Sequence, residues 1–320
     1  MTDQLVAGID LGGTKTKLGL VSASGKIQWR GQLVTGNYED PAAFVEAVSE
    51  MLEAAAQQLQ VRLGGVGIGA PNGNPFTGTI AFAPNLKWKG TVPIVELFQQ
   101  RLRLPVFLTN DAKAAALGEK FFGRASALQD FIVITLGTGL GSGIFSGGRL
   151  VYGHDGFAGE LGHIVIRPAS NRRCGCGRRG CLETYVSNKG LVQTYHELIE
   201  NVSQAERPVH AIDDAADVYA RAKQGFAPAI SAFAELGTLL GEGLAIAVLL
   251  LRPASIFLTG GLAQAAPYFL PFAQQALDDH VLEIFKGKVS VTVSELPPAD
   301  IGVLGAASLL LKQQPGIETI

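Results

Sequence analysis

The chain has 320 residues, of which 47% are hydrophobic and 17% charged; that is enough apolar material for one large or two packed domains, and it excludes a disordered chain. A net charge of −2 excludes the electrostatic footprint of a nucleic-acid binder, so any phosphates bound here belong to small molecules. Forty glycines exceed the ordinary share of about 7% and cluster beside apolar runs, which points to backbone loops that cradle ligands.

The start MTDQLVAGID carries no basic segment ahead of an apolar one, so no signal peptide is expected. The longest apolar run, Leu236 to Leu251, is interrupted by Glu242 and is shorter than the ~20 residues of a membrane span. Thiols at metal-like spacing suit a reducing compartment. A soluble, cytoplasmic protein is the expectation.

In chain order, Leu5 to Ile9 reads as a buried strand ending in Asp10, followed by the turn Gly12-Gly13-Thr14. Gly8 and Gly13 have the spacing of a P-loop, but Thr14-Lys15 stands where that motif has Lys-Ser/Thr. Lys15 to Val21 is β-like where a P-loop would begin a helix, so a hairpin is expected. Its tip can still bind phosphate through glycine amides, with Thr14 and Lys15 as further donors; a plain glycine turn is the alternative.

Pro41 to Leu59 is an amphipathic helix with Asp40 as N-cap. Gly64 to Gly69 is a strand, Ala70 to Gly73 a loop, Thr79 to Ala83 a short strand, and Pro84-Asn85-Leu86-Lys87-Trp88 a second loop. Val92 to Arg101 is a helix. Val106 to Thr109 is a strand that delivers Asn110-Asp111 to the start of a helix over Ala112 to Phe122. Ligands of α/β proteins gather at such strand ends. A helix N-terminus keeps a carboxylate ionised, as a general base for an alcohol requires, although Asn and Asp are also ordinary caps.

From Phe131 the opening pattern recurs. FIVITLGTGLGSGIFSGGRL repeats strand, glycine turn (Gly137-Thr138-Gly139) and strand about 125 residues after LVAGIDLGGTKTKLGLVSASGKI, which implies two similar lobes. The dinucleotide pattern G-x-G-x-x-G is not completed, since Ser142 and Ile144 fall where its last glycine would stand.

The stretch from His154 to Glu183 holds all three cysteines, Cys174, Cys176 and Cys181, with His163 nearby and Glu160 and Glu183 at its edges. Three thiolates and one imidazole form a closed four-coordinate set of the kind structural zinc takes, and Gly175, Gly177 and Gly180 let C-x-C-x4-C converge on one ion. Beyond it, Ser187 to Glu200 and Ala211 to Lys223 read as helices. Ala229 to Leu251 is a long buried helix whose Gly237, Gly241 and Gly243 allow close packing. Ser255 to Thr259 is a strand ending in Gly260-Gly261, Val289 to Ser294 another strand, and Gly302 to Leu311 a last helix.

On GIDLGGTK, the Thr109-Asn110-Asp111 junction, ITLGTGLGSG, GELGH followed by CGCGRRGCLE, and LTGG, the chain resembles, end to end, the ROK family of bacterial sugar kinases and sugar-responsive repressors. The resemblance implies an α/β fold of two actin-like (ribonuclease H-like) lobes, as in the hexokinase, Hsp70 and actin superfamily, with an interlobe cleft and a zinc loop at 163–181. The small lobe is expected at 1–115, with a C-terminal helix at about 303–320 packing back on it, and the large lobe at 116–302.

The resemblance also implies roles. Asp111 would take the proton from a sugar hydroxyl, with Asn85, Asn110, Glu160, His163 and Glu183 as sugar contacts, His163 shared with zinc. Gly12, Gly13, Thr14 and Lys15, with Gly137, Thr138 and Gly139, would hold ATP phosphates. Asp10 would position Mg2+, and Gly260 and Gly261 would border the adenosine. Trp88 and Lys87 would shape the sugar's C2 side. One departure is Pro71-Asn72-Gly73, where many family members have Pro-Gly.

The implied function is an ATP-dependent glucokinase, a homodimer without nucleic-acid or membrane partners. The alternative is a kinase for another sugar: fructose, mannose, allose, N-acetylglucosamine or N-acetylmannosamine. A sugar-sensing repressor would need a helix-turn-helix, and only seven residues precede Gly8. An actin- or Hsp70-like ATPase would leave the zinc loop and Asp111 without a purpose.

Overall fold

The two sequence-similar hairpins open two sheets of identical plan. The computed structural model describes residues 4–83, 85–200 and 212–312. The expectations that fell on Pro84, on Ala211 and on residues 313–320 lie outside them. The first half runs β1 (Gln4–Leu11), β2 (Lys15–Val21), β3 (Ile27–Val34), α1 (Pro41–Leu59), β4 (Arg62–Ala70), the short strands β5 (Gly73–Asn74), β6 (Thr79–Ala81) and β7 (Thr91–Val92), α2 (Ile94–Leu102), β8 (Val106–Asn110) and α3 (Asp111–Phe122). The second runs β9 (Phe131–Leu136), β10 (Leu140–Ser146), β11 (Arg149–Leu150), α4 (Asn188–Ile199), α5 (Ala215–Lys223), α6 (Ala227–Leu251), β12 (Ser255–Thr259), α7 (Ala266–His280), β13 (Ser290–Val293) and α8 (Ile301–Leu311).

The sheet orders are β3-β2-β1-β4-β8 and β11-β10-β9-β12-β13. In the first, β2 is antiparallel to β1 and β3, while β4 runs parallel to β1 and β8 to β4. In the second, β12 is parallel to β9 and β13 to β12. Both glycine turns are equally long, Leu11 to Lys15 and Leu136 to Leu140. The repeated hairpin implied two such similar units, and the actin-like plan is the one the family resemblance implied.

Local chemistry sets the element ends. Asp40 accepts from the amides of Ala42 and Ala43, Pro41 takes the first helical position, and α1 closes on Gln60 at φ 56°. The stripe Phe44, Val45, Val48, Leu52 and Ala55 buries its inner face. β6 stops at Ala81, earlier than expected, because Phe82 turns the chain at φ 48°. α2 starts at Ile94 because Thr91 and Val92 pair with β6. At 25 residues, α6 meets the length and composition of a membrane span, unlike the shorter run read from sequence. Core helices of soluble proteins pass the same test. Gly237 and Gly241 press against the backbone of α7 at Phe269 and Ala273, and Glu242 is ion-paired with Arg167 at 2.7 Å.

Among the described residues, one compact unit gathers 4–129, 143–159 and 295–312, and the other 130–142 and 160–294. The first division therefore falls after Gln129, not at residue 115. A cut at 115 would split α3, an unbroken helix buried over Ala112 to Glu119. The last helix joins the first unit, as expected, and there α8 lies on β1, β4 and α3 at backbone distance. Any Cβ on Gly8 would collide with the Val303 carbonyl, on Gly67 with that of Ala306, and on Gly305 with that of Ala114. Gly67→Ala should therefore destabilise the protein by about 1–3 kcal/mol. Urea unfolding would measure it, and an unchanged midpoint would refute this packing constraint.

Candidate active site and zinc centre

In the first unit, the parallel strands bring several candidates to one sheet edge. Asp10 pairs in register with Gly69 of β4, and Ala70 with Asn110 of β8, so Asp10 and the Asn110-Asp111 junction share the carboxyl end of the sheet. Burial pushes the Asp10 carboxyl above its usual range, opposed by the Lys17 ammonium 3.6 Å away. Gly302 of α8 leaves the space that this carboxylate fills. A desolvated carboxylate at a strand end suits a cation, so Asp10 fits the magnesium assignment.

Asn110 is the N-cap of α3. Its Oδ1 accepts from the amides of Ala112 (3.0 Å) and Lys113 (3.2 Å), so what it offers a sugar is its Nδ2 donor. Asp111 is the first helical residue, and its Oδ1 accepts from the Ala112 amide at 2.9 Å. The half-buried carboxylate stands at the N-terminal end of a 12-residue helix.

The first glycine turn and the Asn85 loop meet in this unit, since a Cβ on Gly13 would collide with the Asn85 carbonyl. Thr14, Lys15 and Asn85 are exposed. The Gly12 amide donates to the Lys15 carbonyl at 3.2 Å, so it is used inside the turn. Gly137 likewise donates to Gly139 in the second turn. The nest reading narrows accordingly: these two glycines contribute close backbone approach more than amide donors. Trp88 differs from expectation more sharply. It is buried against Phe44, 5.1 Å between ring centroids, with its Nε1 donating to the Tyr38 carbonyl at 3.1 Å. It anchors its loop in the core, while Lys87 is exposed and paired with Glu39.

In the second unit, His163, Cys174, Cys176 and Cys181 converge, their ligand atoms all within 4.8 Å of one another. Cys174 Sγ lies 3.4 Å from His163 Nδ1, and Cys176 Sγ 3.7 Å from Cys181 Sγ. A tetrahedron with zinc-ligand bonds of about 2.3 Å to sulfur and 2.1 Å to nitrogen requires separations of ~3.6 Å and ~3.8 Å, so the four residues fit zinc. A disulfide, at about 2.05 Å, does not match them. Gly177 (φ 87°) and Gly180 (φ 71°) make the two turns, whereas Gly175 needs no special conformation.

The three thiols are held differently, Cys174 and Cys181 above the usual thiol range and Cys176 below it. Burial, then the neighbouring cysteines, pushes Cys174 up to about 12. Burial also opposes ionisation of Cys176, but hydrogen bonds from Arg178 and the other thiols outweigh it and pull Cys176 down to about 6. With Nδ1 turned to the cysteines, His163 Nε2 lies on the Glu160 side, 3.9 Å from its carboxylate. Glu183 Oε2 accepts from the Leu140 amide at 3.0 Å. Gly260 sits at φ 99° hard against Leu136, and Gly261 faces open space.

Four further residues escaped sequence reasoning. Lys113, almost wholly buried, donates to the Ala158 carbonyl at 2.7 Å, and Asn74 to that of Asp155 at 2.7 Å. Together they tie down the segment that leads into Glu160. Asn72, at φ 52°, holds the carbonyls of Ala81 and Phe82, which accounts for the residue inserted between Pro71 and Gly73. Arg172, buried over the Tyr185 ring, bonds to the Thr184 carbonyl, Thr194 and Glu197, bracing the zinc loop on α4. Lys113 had a signal, a lone charge in the alanine-rich run DAKAAAL. Asn72 had one as well, as the extra residue between Pro71 and Gly73, while Asn74 and Arg172 had none.

Fold and site together define an actin-like α/β protein with two glycine turns, a strand-end Asn-Asp and a Cys3His cluster that fits zinc. The ROK family profile matches residues 6–313, and the chain belongs to the ROK family. A glucokinase of Streptomyces coelicolor is 33% identical over 97% of this chain and 99% of its own length. The structure of a ROK family glucokinase from Streptomyces griseus in complex with glucose and AMPPNP superposes with a TM-score of 0.81, at 32% identity, covering 95% of this chain and 98% of that one. A xylose repressor of Caldicellulosiruptor bescii is 29% identical over 96% of this chain and 78% of its own length. Elemental analysis should find stoichiometric zinc in the purified protein, lost in Cys181→Ser. A zinc-free native protein that unfolds at the same temperature as a zinc-loaded one would contradict the structural assignment.

Proposed function

We propose that this protein is an ATP-dependent hexose kinase that transfers the γ-phosphate of ATP to a sugar hydroxyl, glucose to glucose 6-phosphate being the reaction. The observation that carries this reading is Asp111: an acid at the N-terminus of α3, on the same sheet edge as Asp10 and the first glycine turn. Full-length similarity to glucokinases supports it, one of them crystallised with glucose and AMPPNP.

In this reading Asp111 takes the proton from the attacking hydroxyl as the oxygen approaches the γ-phosphorus in line. Asn110 Nδ2 and Asn85 orient the sugar, and Glu160, His163 Nε2 and Glu183 accept or donate to its remaining hydroxyls. The turns Gly12 to Lys15 and Gly137 to Gly139 approach the phosphates, and Gly261 borders the adenosine with Gly260 setting the turn. Asp10 would hold magnesium, which neutralises phosphate charge when bound. Zinc, with four protein ligands and no open position, would shape the loop and take no part in the chemistry. Phosphoryl transfer asks mainly for positioning and charge neutralisation, and these residues supply both. The thiols suit a reducing cytoplasm, and a homodimer is the proposed assembly.

ADP release should be stimulated by glucose above fructose, mannose, allose, N-acetylglucosamine and N-acetylmannosamine; a flat response to every sugar would overturn the kinase reading. Asp111→Ala should lower kcat by about 10²–10⁴-fold while calorimetry still detects glucose binding. Near-normal turnover would remove Asp111 as the base.

A further inference from the structure

Glu183 does something the sugar-contact role does not require. Its Oε2 accepts from the amide of Leu140, the first residue after the turn Gly137-Thr138-Gly139. The same oxygen occupies the space beside Gly139 where any side chain would stand. Two other parts of the zinc-loop region hold this turn. The amide of Asn188, at the start of α4, donates to the Gly137 carbonyl at 2.8 Å. Gly162, next to the zinc ligand His163, packs on the Leu140 carbonyl so closely that no Cβ fits. The other carboxylate oxygen, Oε1, lies 3.7 Å from Cys174 Sγ. Three residues of turn, two of them glycine, are thus clamped from both ends of the metal loop.

We propose that Glu183 is the positioning residue of the second phosphate turn, so that the zinc loop sets nucleotide affinity even when no sugar is present. The inference rests on the reading of that turn as a nucleotide site. The physical reason is conformational entropy. Glycines lose the most backbone freedom on ordering, and an unheld Gly-Thr-Gly turn would have to be ordered by the nucleotide at the expense of affinity. A carboxylate has lone pairs enough to keep the Leu140 amide on one oxygen while the other meets a sugar hydroxyl. The zinc cluster fixes the backbone from which Glu183 reaches, two residues after the ligand Cys181.

The test is calorimetric titration of AMPPNP with magnesium into the full chain without sugar, beside zinc content and amide hydrogen exchange. Glu183→Ala should weaken AMPPNP about tenfold, the loss of one charge-assisted hydrogen bond, and unprotect the Leu140 amide, with zinc content unchanged. Glu183→Gln keeps a carbonyl acceptor and should restore nucleotide binding to within about threefold. AMPPNP affinity and Leu140 exchange equal to wild type in Glu183→Ala, with only glucose binding weakened, would overturn the proposal and leave the kinase reading standing. Loss of zinc in both variants would overturn it as well, in favour of collapse of the loop. A wild-type protein that ignores AMPPNP would overturn the nucleotide reading itself, and this proposal with it.

Discussion

The first unit depends on the contact of α8 with its sheet at backbone distance. Helices ordinarily stand off a sheet by the length of the side chains between them. Here Gly8 and Gly67 clear the sheet surface, Gly305 admits the backbone of α3, and Gly118 of α3 receives the Ile301 carbonyl. The result is a three-layer contact, β1 and β4 to α8 to α3, in which backbones touch at the glycines and Val303, Leu304 and Ala307 pack with Val6 and Val21 beside them. Asp10 and Asp111 are both set by this contact. Gly302 makes the cavity that the Asp10 carboxylate fills, and α3, seated on α8, presents Asp111 at its N-terminus. A helix near residue 305 thereby determines the surroundings of an acid at residue 10.

The metal loop solves the opposite problem. Residues 170–180 hold almost no apolar side chain and cannot bury a core of their own. Order comes from three other sources. Four ligand atoms converge within 4.8 Å of one another, a buried Arg172 bonds to the loop and to α4, and Gly243 of α6 admits Leu182 at close range. The histidine that completes the ligand set is turned by that task, with Nδ1 toward the cysteines and Nε2 toward Glu160. A metal held by this set would fix the tautomer and aim of a ring whose other nitrogen points at a carboxylate.

Much of this was legible because it is local. Asp40-Pro41 marked the start of α1, the repeated hairpin marked two sheets, and three thiols with one histidine marked the metal. Asp111 was legible for the same reason, since strand end and helix start adjoin in sequence. Trp88 was misread because an aromatic beside a candidate sugar contact looks the same whether it faces ligand or core; its partners Phe44 and Tyr38 are far away in sequence. The glycines were half understood. Those at positive φ in the metal loop act locally, but Gly13 and Gly139 of the turns admit Asn85 and Glu183, and Gly8, Gly67, Gly118 and Gly305 admit elements distant in sequence.

Sequence by itself determined the fold class, the Cys3His cluster and the strand-end placement of Asp111, because strand periodicity, capping and thiol spacing are written in neighbouring residues. Only the tertiary structure decided that the first unit extends through α3 and meets α8 at backbone distance, that Lys113 and Asn74 secure the approach to Glu160, and that Glu183 reaches Leu140. Each of these is a meeting of surfaces, and a linear pattern carries no distance between surfaces until packing brings them within a hydrogen bond.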